Sequence, residues 1–231
     1  MKSNLNRSGE LVLIWVLLLT TLGVTPFYSF DPINIFRFIA IFASGAVSVG
    51  LILLKRQVLF VRANLPALII SCLFLLQITL STIMSKLNFA ESIFGVGGRN
   101  TGALTYLSLL FLMILALVYS KKSIFVFTTK ILILCGVISS CYGILQALTL
   151  DPFDWINPYS PVFGFFGNPN FLSSFMGITS TAALSSFLQK SDFNLRKISL
   201  SAYIVLSLFV VYLSKSQQGY LVFASGASVV I

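Results

Sequence analysis

The chain has 231 residues, 57% of them hydrophobic and only 9% charged, where an ordinary soluble domain carries about a quarter charged residues. Too few polar groups remain to cover a water-facing surface, which excludes a soluble globular fold and leaves lipid as the solvent. The net charge of +9 comes from 15 Lys and Arg scattered between apolar runs; a nucleic-acid binder would cluster them on one face, so no nucleic-acid partner is expected.

Seven apolar stretches reach the roughly 20 residues that a membrane-crossing helix needs. They cover about 11–28, 33–54, 65–84, 103–119, 130–148, 171–188 and 198–213. The first follows Lys2 and Arg7 as a signal peptide would, but it has no small-residue cleavage site and further spans follow, so it is read as a retained helix. An eighth apolar run opens near Gly219 and is still apolar at Ile231, 13 residues later. That is too short for about 30 Å of hydrocarbon at about 1.5 Å per residue. The expected fold is therefore all-α: a polytopic transmembrane helix bundle of seven complete spans and a truncated eighth. It forms one transmembrane domain over 1–231, the N-terminal part of a longer protein.

Basic residues in short loops set the orientation. With the N-terminus inside, the inner side holds Lys2, Arg7, Lys55, Arg56, Arg62, Lys121, Lys122, Lys130, Lys190, Arg196 and Lys197, and the outer side only Arg37, Lys86, Arg99 and Lys215. Arg37, about one turn inside the second span, is read as snorkelling to the outer interface. The outer side also takes Asp31, Glu91, Asp151 and Asp154. The longest loop, 149–168, is then external. Pro152, Pro158 and Pro161, with Pro169 at its end, deny it a long helix, and Phe153, Trp155, Tyr159, Phe163, Phe165 and Phe166 suit the headgroup layer.

Cys72, Cys135 and Cys141 lie in apolar runs without paired spacing, and the chain has no His, so neither a metal site nor a cofactor is expected. Even-numbered spans run from outside to inside, which turns their unpaired N–H groups and positive dipole ends outward. The fourth follows Gly97-Gly98-Arg99-Asn100-Thr101-Gly102, with Asn100 or Thr101 as cap. The sixth follows Gly167-Asn168-Pro169-Asn170, with Asn168 as cap and Pro169 in the first helical position. The eighth follows Ser214-Lys215-Ser216-Gln217-Gln218-Gly219, again a capping residue beside a cation. Such openings can hold anions, which makes Arg99, Asn168, Asn170, Lys215 and Gln217 candidate substrate-binding residues for an outer phosphate. The bland alternative is ordinary capping beside lipid phosphates. Asp151 and Asp154 could serve as a general base, although Asp151 before Pro152 also reads as a turn starter. No catalytic residue is assigned.

The run Ser81-Thr82-Ile83-Met84-Ser85, then Phe94-Gly95 and Gly98-Arg99-Asn100-Thr101-Gly102, resembles the front half of the O-antigen ligase and polymerase superfamily. Tyr142-Gly143-Ile144-Leu145-Gln146 with Asp151-Pro152 and Trp155 is similar to it as well, as is Phe166-Gly167-Asn168-Pro169-Asn170-Phe171-Leu172 at a helix entry. The resemblance covers the chain from about Leu65 onward. It implies metal-independent glycosyl transfer at the outer face of a bacterial inner membrane. The donor would be a glycan on a polyprenyl diphosphate, and the acceptor a lipid or protein. Gln217 stands where the family motif carries an arginine, with Lys215 as the neighbouring cation, and the family's large catalytic external loop would lie downstream of Ile231. A transporter or lipid flippase, or a membrane scaffold without chemistry, are the competing readings. Paired repeats and charges at mid-membrane would favour transport.

Overall fold

The computed structural model describes residues 2–25, 31–119, 122–153, 155, 160, 162–189 and 195–231. The sequence readings at Tyr28, Lys121, Asp154, Pro158, Tyr159, Pro161 and Lys190 lie outside the described residues. The helices are α1 (Lys2–Leu22), α2 (Asn34–Leu54), α3 (Leu65–Ile83), α4 (Phe89–Phe94), α5 (Ala103–Tyr119), α6 (Lys122–Ala147), α7 (Pro169–Leu188), α8 (Leu195–Leu213) and α9 (Gln218–Val230). No strand occurs among the described residues. Every apolar stretch is thus helical, because a helix satisfies its own backbone without water. Among the described residues, five helical segments are long and apolar enough to cross a membrane: Asn34–Leu54, Arg62–Ile83, Ile124–Ala147, Pro169–Leu188 and Leu195–Leu213. The apolar α5 and α9 are shorter, at 17 and 13 residues.

The starts of α1 and α6 differ most from the sequence reading: α1 begins at Lys2 instead of about 11. α6 starts at Lys122 instead of 130, since nothing between them breaks a helix. The short α4 was not anticipated. Its signal was Asn88-x-x-Glu91: the Asn88 side chain accepts the Glu91 N–H at 2.8 Å, and Gly95, at φ +89°, stops the helix.

The backbone divides into two compact units, 1–125 and 126–231. In the first, α2 and α5 run parallel. Gly45 lies on Ser108 of α5, and lower down Ile52, Leu115, Val118 and Tyr119 form a core joined by Val12 and Leu13 of α1. Tyr119 Oη donates to Leu51 O at 3.4 Å, and Lys55 Nζ sits 4.0 Å from the Tyr119 ring centroid. At the other end Asn34 Nδ2 donates to Gly98 O at 2.5 Å. Chain order therefore puts Lys55, Arg56 and Arg62 at one end of this unit and Asp31, Lys86, Glu91 and Arg99 at the other.

In the second unit α7 lies between its neighbours. Small residues set the distances. Gly177 meets Gly219 and Val222, and Gly226 meets Thr181, so α7 and α9 run parallel in close contact. α8 packs antiparallel on α7, with Ala183 against Leu200 and Tyr203. Fully buried hydroxyls join these faces: Ser180 Oγ and Ser207 Oγ are 2.5 Å apart, and Tyr203 Oη donates to Thr179 Oγ1 at 2.5 Å. Where apolar side chains gain nothing over lipid, such bonds and small-residue contacts supply the attraction. A double-mutant cycle on Ser180→Ala and Ser207→Ala should return a coupling of about 0.6 kcal/mol, and not above about 1.7. Additivity of the two variants in denaturant unfolding would show that the pair contributes nothing.

Candidate functional site

The opening of α7 follows the local chemistry of its residues. Gly167 adopts the left-handed conformation at φ +68°, Asn168 is extended, and Pro169 takes the first helical position, where a missing N–H costs nothing. The Asn168 side-chain oxygen accepts the Asn170 N–H at 2.8 Å. The expected cap is present, and that oxygen is committed to it.

The opening of α9 differs from expectation. Its cap position is Gln217, whose side chain makes no capping bond. Ser216 Oγ accepts the Gln218 N–H at 3.4 Å, and the shorter capping bond comes from another helix. Ser173 Oγ of α7 accepts the Gly219 N–H at 2.7 Å and donates to Ser216 O at 3.0 Å, while Ser174 Oγ donates to Gln218 Oε1 at 3.1 Å. Ser214 turns inward to Val211 O at 2.7 Å, and Lys215 sits at φ +57°. The turn thereby presents Lys215 and Gln217 outward while Ser214 and Ser216 are buried. An open pocket of about 400 Å³ is lined here by Tyr212, Lys215, Ser216, Gln217 and Tyr220 among others. The second unit so brings the α7 opening, with Asn168 half-buried and Asn170 exposed, beside the α9 opening with Lys215 and Gln217.

The 142–166 region is anchored by one carboxylate. Asp151 accepts from Tyr142 Oη at 3.0 Å to each oxygen, from Gln146 Nε2 at 2.9 Å and from Phe153 N at 3.0 Å. Trp155 Nε1 donates to Tyr142 Oη at 2.8 Å, and Phe165 stacks on the Tyr142 ring at 4.5 Å. Gln146 Oε1 accepts the N–H groups of Phe163 at 3.1 Å and Gly164 at 2.7 Å. Asp151 therefore spends its lone pairs holding the loop, as the turn reading had it. Phe163 and Val162 are buried inside the unit and do not lie out in a headgroup layer. Tyr142 and Gln146 were singled out only within a family motif. Their four-residue spacing, which puts two polar groups on one face of an apolar helix, was the physical signal.

Arg99 belongs to the first unit and the other four candidates to the second, so the two groups are described separately. Arg99 is exposed, its N–H bonded to Val96 O at 3.0 Å. Neither Asn100 nor Thr101 caps α5. The first intrahelical bonds run from the Thr105 and Tyr106 N–H groups to Gly102 O at 3.1 and 3.4 Å, which puts Gly102 at the cap position, while Asn100 O accepts Thr105 Oγ1 at 2.6 Å. Gly95 and Gly102 touch backbone to backbone, so a Cβ on Gly95 would strike the Thr101 and Gly102 nitrogens. Only glycines close the loop this tightly, and the closure seats α4 against the start of α5.

Among the described residues, fold and sites together show an all-helical arrangement with five helices long and apolar enough to cross a membrane and polar helix openings at the ends of each unit. Comparison of the chain with protein-family models, curated proteins and solved structures found no match.

Proposed function

We propose that this chain is a polytopic bacterial inner-membrane protein that takes part in glycan transfer from a polyprenyl diphosphate at the outer face, in the manner of O-antigen ligases. On this reading the N-terminus is inside, seven helices span and α9 opens an eighth span. The observation that carries it is the side-by-side opening of α7 and α9 with Lys215, Gln217 and Asn170 exposed there. Two parallel helix N-termini and a lysine favour an anion, and the leaving diphosphate of a glycosyl transfer is one. The Gly219 N–H is already taken by Ser173 and the Asn170, Phe171 and Leu172 N–H groups by Asn168, so the anion would rely on Lys215 and the positive ends of the two helix dipoles.

Binding of undecaprenyl diphosphate to the protein in nanodiscs tests this. Lys215→Ala should weaken binding about fivefold to tenfold and Lys215→Arg should restore it, since arginine adds a planar fork to the charge. Arg99→Ala is measured by itself. Equal affinity of Lys215→Ala and wild type would overturn the site. Orientation is checked by cysteine labelling of intact cells. Trp155→Cys and Lys215→Cys should react from outside and Arg56→Cys and Arg196→Cys should not; the reverse pattern refutes the topology.

A further inference from the structure

The first unit holds a pocket of about 390 Å³ between the end of α3, α4 and the start of α5. Its volume falls within the range of small-molecule sites, about 300–1,000 Å³. Glu91 is its one charged lining residue. Among the described residues no lysine or arginine pairs with the Glu91 carboxylate, which is half-buried. The neighbouring polar groups both donate and accept: the Gln77 amide donates to Ser81 Oγ at 3.2 Å, and Ser85 Oγ accepts the Leu87 N–H at 3.1 Å. Thr82 commits its hydrogen to Ile78 O at 2.8 Å, so only its lone pairs face a ligand, and Thr101 and Ser92 line the wall beside it. Phe74 and Tyr106, edge to face at 6.4 Å, supply an apolar side. A lining with one carboxylate and no cation suits a cationic ligand, as an ammonium whose three N–H groups can be shared between Glu91 and the hydroxyl oxygens. A neutral polyol would leave the Glu91 charge without a counter-ion.

The surroundings give the source. Ile83 and Met84, between the lining residues Thr82 and Ser85, and Phe89, two residues before Glu91, are 74, 77 and 81% exposed, as apolar groups at a lipid boundary are. Lys86 lies between the lining residues Ser85 and Leu87, and Arg99 lies on the loop whose ends, Gly95 and Gly102, line the pocket; both cations are exposed. We propose that this pocket takes the primary ammonium of a zwitterionic phospholipid headgroup, with Glu91 as its counter-ion and Lys86 and Arg99 towards the phosphate. This assignment does not rest on the transfer reading, and its probes carry no diphosphate.

The test is native mass spectrometry of the full chain released from nanodiscs that contain equal parts of phosphatidylethanolamine, phosphatidylcholine and phosphatidylglycerol. Retained phosphatidylethanolamine should exceed each of the others about tenfold, the factor that about 1.4 kcal/mol of charge-assisted hydrogen bonding gives. Glu91→Gln, which keeps size and shape, should remove the preference, and Glu91→Asp should keep most of it. Free ethanolamine at millimolar concentration should not displace the lipid; full displacement would show a site for soluble amines and overturn the lipid assignment. Equal retention of the three lipids, a preference that survives in Glu91→Gln, or Glu91-dependent binding of methyl glucoside in place of amine would each overturn the proposal.

Discussion

Gly219→Leu should unfold the α7–α9 pair and lower stability by about 3 kcal/mol, the upper end of overpacking penalties. A Cβ on Gly219 would strike the Ser173 carbonyl, and would lie 2.6 Å from Ser173 Oγ and 2.7 Å from Val211 Cγ2. The first of these is backbone and cannot rotate away, so the helices must separate. Separation also breaks the Ser173 bond to the Gly219 N–H, worth about 0.5–1.5 kcal/mol more. Gly50 provides the control. A Cβ there meets nothing within 4 Å, so Gly50→Ala should stabilise its helix by about 0.5–1 kcal/mol through chain entropy alone. Denaturant unfolding in detergent micelles, followed by helicity, compares the two. Gly219→Leu no less stable than wild type would mean that the parallel pair does not form.

Gln146→Leu should be the next most damaging change. Gln146 is 3% exposed, and its amide acts on both sides, accepting from two backbone N–H groups and donating to Asp151. Leucine fills the space but leaves the Phe163 and Gly164 N–H groups buried without a partner, at about 1–3 kcal/mol each. Trp155 reports the result, since its indole N–H rests on Tyr142 Oη and Tyr142 on Asp151. In a Trp15→Phe background, Gln146→Leu should red-shift the Trp155 emission as the loop loosens, and Asp151→Ala should do the same. Unchanged emission in both variants would show that the loop is held by something other than this carboxylate.

Much of the molecule was legible before any contact was known. Eight apolar runs became helices, because a backbone surrounded by apolar side chains has no other way to pair its polar groups. Asn168-Pro169-Asn170 opened α7 as its residue types require, since a cap involves atoms two residues apart. Asp151 before Pro152 proved a turn residue for the same local reason. The partition of Lys55, Arg56 and Arg62 from Lys86 and Arg99 follows from chain order alone.

What closes the site lay beyond those signals. α9 takes its shortest capping bond from a serine 46 residues away. α6 and α7 carry no strong apolar stripe, so their sequences do not say which face meets which neighbour. Only packing selects the face, and here glycines select it. Gly177 against Gly219, and Gly95 against Gly102, let backbones approach until the hydrogen bonds of one helix opening fall on another segment. Composition and local chemistry therefore determined the apolar helices, the opening of α7 and the charge partition. The tertiary structure decided which helix openings meet, because that depends on close approach between residues far apart in the chain.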